Sequence, residues 1–301
     1  MIPKVELNRA LSLSRLVYGA WRLADDQDTS LSHVRAKIDA CLEQGMSSFD
    51  HADIYGDYRC EALFGKALAQ MPEVRSKMQL VTKCNIMLLS DQYPERRVKH
   101  YNTSPAHIEY SVNNSLERLQ TDYLDMLLLH RPDPFMDAEA TGRMLDSLID
   151  SGKVLAVGVS NFKSWDWDLL QSAMQHPLLT NQVEISLLQR DTFLDGTVAQ
   201  LQRLKCRPMA WSPLAGGRLV SDEDDAMTRL RPLLERIAEK HNCGIDHVAI
   251  AWLLAHPAGI VPIVGTNNLQ RIQDSYKALD VEMDRQTWYE LWTAAAGQEV
   301  P

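Results

Sequence analysis

YLDMLLLH (Tyr123–His130), EATGRMLDSLIDSG (Glu139–Gly152) and VLAVGVSN (Val154–Asn161) follow one another with only short gaps. The first and third are short, almost continuously apolar runs that end in polar residues. The second places its apolar residues at helical spacing. The order reads as strand, helix, strand, and a strand that is apolar on both faces suits a parallel sheet covered on both sides.

The same unit recurs in both directions. Upstream lie RLVYGAW (Arg15–Trp21) and the helix-like SLSHVRAKIDACLEQG, with Gly45 as its stop, then SSFDHA (Ser47–Ala52) and RCEALFGKALAQM, then MQLVTKCN (Met78–Asn85) and, after a long polar loop, PAHIEYSVNNSLERLQ. Ser104 and Pro105 supply an N-cap and a first-turn proline for that last helix. Downstream lie SWDWDLLQSAMQ, TNQVEI with TVAQLQRLK, RPMAWSP with a further helical stretch, and GIVPIVG with NLQRIQDSYKALD. About eight strand-helix units result, the number that closes an α/β (β/α)8 TIM barrel. No composition break divides the chain, so residues 1–301 are expected to form a single domain, only modestly longer than the roughly 250 residues usual for this barrel. A doubly wound open sheet is the competing arrangement. Against it, no G-x-G-x-x-G follows the first strand, and Gly65-Lys66 lacks the upstream glycine of a phosphate-binding loop.

Composition bounds the function. The chain is 45% hydrophobic and 24% charged, ordinary values for a soluble domain. A net charge of −9 with no basic run argues against nucleic acid, whose phosphates require a basic face. The acidic run SDEDDA (Ser221–Ala226) reads as a solvated loop. Five cysteines, Cys41, Cys60, Cys84, Cys206 and Cys243, include no C-x-x-C pair and suit a reducing compartment. The N-terminus has no signal-peptide order, and the longest apolar run, VAIAWLLA, is too short to span a bilayer. A cytoplasmic protein with no membrane partner is expected.

Chemistry in such a barrel collects where the strands end. Strand two ends at Asp50, with Tyr55 just beyond; strand three ends at Lys83, strand four at His130. Later strands deliver Ser160-Asn161, Gln182 and Trp211-Ser212. SFDHADIYG (Ser48–Gly56) alone permits a metal reading, in which His51 and Asp53 are ligands of a barrel hydrolase. That reading needs further histidines or carboxylates at other strand ends, and those positions hold amides, serine and tryptophan instead. A proton-transfer reading makes better use of the residues. A tyrosine hydroxyl has a pKa near ~10, and an ammonium at ~4 Å favours its phenolate by roughly 4 kcal/mol at an effective dielectric of about 20. Lys83 would supply that charge, Asp50 would hold Lys83, and His130 would orient a carbonyl oxygen. On this argument Lys83 lowers the pKa of Tyr55.

The ordered series FDHADIYG, VTK, YLDMLLLHRPD, GKVLAVGVSNF, NQVEIS, WSPLAGG and VPIVGTNNLQRIQDS resembles the aldo-keto reductases, in particular the bacterial-type NADPH-dependent members, over nearly the whole chain. The resemblance implies an enzyme that transfers hydride from NADPH to aldehydes or ketones, with Asp50, Tyr55, Lys83 and His130 as catalytic residues and Tyr55 as proton donor. It implies a nicotinamide carboxamide held by Ser160, Asn161 and Gln182, with Trp211 against the ring and Ser212 and Leu214 further along the cofactor. At the adenosine end, Gly265 stands where many relatives have a lysine. Arg271 stands at the phosphate-contacting arginine, with Thr266 nearby and with Asp274 and Ser275 beside the adenine. NADPH is therefore favoured and NADH left open. Trp21 lines the site or packs in the core, and the loop Asn85–Thr103, with Tyr93, Arg96, Arg97 and Tyr101, is the expected source of selectivity. Two other functions are kept: a non-catalytic NADPH-sensing regulatory subunit of the same fold, and the metal-dependent hydrolase.

Overall fold

Eight short strands run parallel and close on themselves: β1 (Val17–Gly19), β2 (Ser48–Asp50), β3 (Gln79–Cys84), β4 (Met126–Leu129), β5 (Val157–Ser160), β6 (Leu178–Glu184), β7 (Met209–Trp211) and β8 (Val261–Val264). Each pairs with its chain neighbour, and β8 returns to β1 through Ile263–Val17 and Val264–Tyr18. The structure is a computed structural model that describes residues 1–221 and 223–300. The expected closed barrel is thus the observed one.

Side chains on a strand alternate between faces, and here the alternation sorts the apolar residues into two packed layers. Val17, Val81, Met126, Leu128, Ala156, Leu179, Met209, Val261 and Ile263 fill the interior. Tyr18, Phe49, Leu80, Leu127, Leu129, Val157, Val159 and Leu178 face outward against the helices. That is why the strands lack a polar face in sequence.

The outer layer comprises α1 (Leu31–Glu43), α2 (Cys60–Leu68), α3 (Pro105–Leu119), α4 (Ala138–Asp150), α5 (Ser164–Ser172), α6 (Thr197–Leu204), α7 (Asp225–Lys240), α8 (Ile245–Leu254), α9 (Leu269–Asp274) and α10 (Arg285–Ala296). Their starts follow capping chemistry. Ser104 accepts from the His107 amide, Asp137 from Ala140 and Asp284 from Thr287. Gly45 follows α1 with φ +90, and a Cβ there would lie 2.7 Å from the Ile2 carbonyl oxygen. Asp224 caps α7 through the Met227 amide and pairs with Arg218 at 2.6 Å, while Asp222 lies outside the described residues.

Two elements depart from the sequence expectation. An N-terminal antiparallel hairpin, Lys4–Glu6 with Ser12–Ser14, sends Leu11 and Leu13 into the barrel interior and closes the end opposite the strand termini. The long polar loop after β3 contains a small antiparallel ladder, Ile86–Met87 with His100–Tyr101. Arg96 reinforces it by stacking 3.6 Å from the Tyr93 ring centroid and donating to the Tyr58 hydroxyl at 2.5 Å. Among the described residues, no helix is long and apolar enough to cross a membrane.

One irregularity matters for the site. Between Leu178 and Asn181, β6 has one residue more than β5, a bulge that reverses which residues of β6 face inward. Leu179 faces the interior, and beyond the bulge it is Gln182, not Asn181, that does so. Asn181 instead donates to the Phe162 carbonyl at 2.8 Å. Gly158 of β5 makes room, since a Cβ there would lie 2.8 Å from the Thr180 carbonyl oxygen. Gly158→Ala is therefore expected to destabilise the protein by about 1–3 kcal/mol in chemical denaturation, the usual cost of overpacking against backbone. Unchanged stability would show that the bulge tolerates a side chain at this contact.

Candidate active site

Strand alternation carries the interior residues up to the barrel mouth. Lys83 lies two residues beyond Val81, His130 two beyond Leu128 and Trp211 two beyond Met209, and each of those apolar residues faces inward. The residues directly after β3, β5 and β7 are Asn85, Asn161 and Ser212, all non-glycine with positive φ (91°, 60° and 49°). Uncommon backbone conformations thus cluster at the mouth, where strain of this kind is usually found in functional sites.

Lys83 is fully buried. Its Nζ lies 2.9 and 2.7 Å from the two Asp50 oxygens, 2.7 Å from the His51 carbonyl oxygen and 2.9 Å from the Tyr55 hydroxyl. An ammonium has three N–H donors and no acceptor, so carboxylate, carbonyl and phenol account for all of them. The Tyr55 oxygen must accept in this contact. Its own proton is left to point elsewhere.

The chain around Tyr55 is shaped to bring the hydroxyl there. Gly56, Asp57 and Tyr58 all have positive φ, and a Cβ on Gly56 would lie 2.5 Å from Ala24 Cβ and 2.7 Å from Cys60 Sγ. The His130 ring stands edge-on to Tyr55 with centroids 6.0 Å apart. The four residues expected to act together are in fact together.

The electrostatics correct one expectation. Burial pushes the Tyr55 phenol well above its ordinary pKa, and the Asp50 charge pushes it the same way, while Arg131 opposes them. The expected lowering by Lys83 does not prevail, because Asp50 sits on the ammonium and neutralises it, leaving desolvation to decide. The resting phenol is protonated. Burial also pushes Asp50 up and Lys83 down, each opposed by the other's charge. His130 is held well below the usual imidazole range by burial, then by Lys83 and Arg131.

His51 and Asp53 are not part of a converging ligand set. The His51 ring packs 4.6 Å from Phe64 with its pKa pushed down to about 3 by burial, and its contribution to the site is its backbone carbonyl. Asp53 is buried near Glu61, outside the barrel interior, and both carboxyls are pushed up by burial. Among the described residues no three His, Cys, Asp or Glu side chains gather as a metal site.

The polar groups beside Lys83 form a connected series. Ser160 Oγ donates to the Gln182 carbonyl at 2.8 Å, Asn161 Nδ2 to Ser160 Oγ at 2.8 Å, and Trp211 Nε1 to Asn161 Oδ1 at 3.0 Å. Gln182 Nε2 donates to Asp50 at 2.7 Å. Leu214 is partly buried between the two outer clusters. Across the mouth, Arg22 donates to the Gly216 carbonyl at 3.0 Å, and Asn267 to the Arg22 carbonyl at 2.7 Å, tying together the loops after β1, β7 and β8. Trp21 is 54% exposed beside Arg22, so it is not core packing.

At the end of β8, Gly265 is exposed and Thr266 Oγ1 accepts from the Asn268 amide. Arg271 is exposed, with no ion-pair partner among the described residues. Asp274 is paired with Lys277 at 3.0 Å. Ser275 is a correction: it is 4% exposed and its hydroxyl donates to the Ile272 carbonyl at 2.6 Å, which turns it away from any adenine. Sequence reasoning passed over Arg131, whose charge acts on Tyr55, His130 and Glu184 and whose guanidinium lies 5.9 Å from the Trp211 ring centroid. It also passed over Asn85, which exchanges hydrogen bonds with the Arg131 backbone at 2.8 and 3.1 Å and so fixes the residue after His130. Both were visible as neighbours of the Lys83 and His130 motifs.

With its pKa lowered, the His130 imidazole takes a proton only well below its ordinary range. Side-chain NMR of cofactor-free protein is therefore expected to show it neutral at about pH 6.5, where an unperturbed imidazole is half protonated. A midpoint near about 6.5, the unperturbed value, would contradict the burial argument.

The chain is similar to known proteins over nearly its whole length. The family model described as Aldo/keto reductase family matches residues 15–295. The chain is 54% identical over 299 residues to a 6-dehydroglucose reductase of Agrobacterium fabrum, covering 99% of this chain and 100% of that protein. It is 36% identical over 297 residues to a 6-dehydroglucose reductase of Novosphingobium aromaticivorans, covering 97% and 94%. A crystal structure of the thermostable aldo-keto reductase Tm1743 in complex with the inhibitor epalrestat superposes with a TM-score of 0.81 at 26% identity, covering 97% of this chain and 100% of that one. A match along residues 15–295 and full-length relatives sharing up to 54% of their residues make this an oxidoreductase barrel, and the chain belongs to the aldo/keto reductase family.

Proposed function

We propose that the protein reduces an aldehyde to an alcohol with NADPH, using Tyr55 as the proton donor. The observation that carries the reading is the fully donating Lys83 ammonium, which compels the Tyr55 oxygen to accept and leaves its proton for a substrate. When bound, a nicotinamide cofactor supplies the hydride. Tyr55 would give its proton to the carbonyl oxygen as the carbon takes up hydride, so that an aldehyde, one hydride and one proton become a primary alcohol. His130, neutral beside Tyr55, orients the carbonyl oxygen. The phenolate that remains faces Lys83 and Arg131, which favour it until solvent returns the proton.

The residues present suit such a cofactor. Ser160, Asn161 and Gln182 provide neutral hydrogen-bonding groups for a carboxamide beside the partly exposed face of Trp211. Ser212, Leu214, Gly265, Thr266 and Asp274 would continue the contact toward the adenosine end. Arg271, exposed and without an ion-pair partner among the described residues, suits the 2′-phosphate of NADPH.

For the substrate we take a hydroxylated aldehyde of the kind named in the two relatives, 6-dehydroglucose. Arg131 and Glu184, charged groups close enough to influence each other, support it by offering donors and an acceptor for hydroxyl groups near Trp211. NADPH absorbance is to be followed with 6-dehydroglucose, aromatic aldehydes, α-dicarbonyls and aliphatic ketones. Turnover with the highest kcat/KM for the hydroxylated aldehyde is expected; cofactor binding with no turnover of any carbonyl would replace this reading with the regulatory one. Arg271→Ala is expected to weaken NADPH by about 1.5–3 kcal/mol in fluorescence titration and leave NADH unaffected. Equal affinities of the unaltered protein for the two cofactors would refute the phosphate contact.

A further inference from the structure

We propose that Gln182 is a positioning residue for the proton donor: its side-chain amide holds the Asp50 carboxylate on Lys83, and thereby keeps the ammonium that orients Tyr55. The inference rests on the reading of Tyr55 as proton donor, and it adds a role to a side chain otherwise assigned to the cofactor.

Asp50 has two hydrogen-bonding side-chain partners among the described residues. Lys83 reaches both oxygens, and Gln182 Nε2 donates to Oδ1 at 2.7 Å. Gln182 is 2% exposed and Asp50 is also 2% exposed, so no bulk water stands in for a lost amide. The contact is built rather than incidental. Without the β6 bulge, regular alternation from Leu179 would point Asn181 inward, and Gly158 provides the space that the bulge requires. With one amide N–H given to the carboxylate, the second N–H and the side-chain oxygen of Gln182 are left for a ligand.

Loss of the amide has a directional consequence. A buried carboxylate that loses one of two stabilising partners takes up a proton more readily. Neutral Asp50 removes the charge that keeps Lys83 protonated, and Lys83 then loses its proton at lower pH. A neutral amine can accept from Tyr55, turning the phenolic proton inward and away from a substrate. The other charges facing these groups do not replace Gln182. Asp53 and Glu61 act on Lys83 through β3 from outside the barrel, and Arg131 acts on Tyr55 and His130 from the β4 loop.

The test uses cofactor-free full-length protein with 13C-labelled lysine, the Lys83 signal being identified by its loss in Lys83→Met. Gln182→Met keeps the length of the side chain and removes the donor, and Gln182→Leu removes the donor in a shorter apolar side chain. In Gln182→Met the Lys83 midpoint is expected to fall by on the order of tenfold in proton affinity, about one pH unit. The alkaline limb of single-turnover reduction should move down with it, while KM for the aldehyde changes little. An unchanged midpoint in Gln182→Met overturns the proposal; should that variant not fold, an unchanged midpoint in Gln182→Leu overturns it. The two readings fail separately: a shifted midpoint with no carbonyl turnover in wild type upholds the Gln182 link and removes the reductase, and turnover with an unshifted midpoint does the reverse.

Discussion

A lysine ammonium with no exposed surface sits at the end of β3, and the arrangement of the mouth depends on satisfying it. Leaving a charge of that kind unpaired inside a protein costs several kcal/mol, so its surroundings are constrained. Asp50 comes from β2, the His51 carbonyl and the Tyr55 hydroxyl from the loop that follows it, and together they use all three donors. The same requirement fixes the direction of the Tyr55 proton. Gln182, brought inward by the β6 bulge, supports Asp50 from the other side of the barrel.

The barrel was legible because closure places every strand between a packed interior and a packed outer layer. YLDMLLLH and VLAVGVSN lack a polar face for that reason, and their final polar residues are those that emerge at the mouth. Asp50, Lys83 and His130 were legible from the same rule, as chemistry-bearing residues at strand ends. That Asp50 and Tyr55 share Lys83, with the His130 ring against Tyr55, required the structure.

Other features were hidden for identifiable reasons. The N-terminal hairpin has three-residue strands, too short for alternation to register, and its apolar Leu11 and Leu13 belong to an interior assembled from distant strands. A bulge leaves no mark in composition, so the inward direction of Gln182 could not be counted from Leu179. The direction of the Tyr55 shift depends on burial and on Asp50 neutralising Lys83, quantities that follow from packing. Ser275 looked available at the adenosine end because its position along the chain says nothing of the fold of its hydroxyl back onto the Ile272 carbonyl.

The central claim is that the hydroxyl proton of Tyr55 is the one transferred. Tyr55→Phe removes that hydroxyl and leaves the ring against His130, so fold and NADPH binding should persist. Single-turnover oxidation of NADPH by this variant with an activated aldehyde is the direct measurement. The account predicts a rate lower by at least ~10²–10⁴-fold, the contribution of a general acid. A rate comparable to that of the unaltered protein, with cofactor bound equally well, would contradict it.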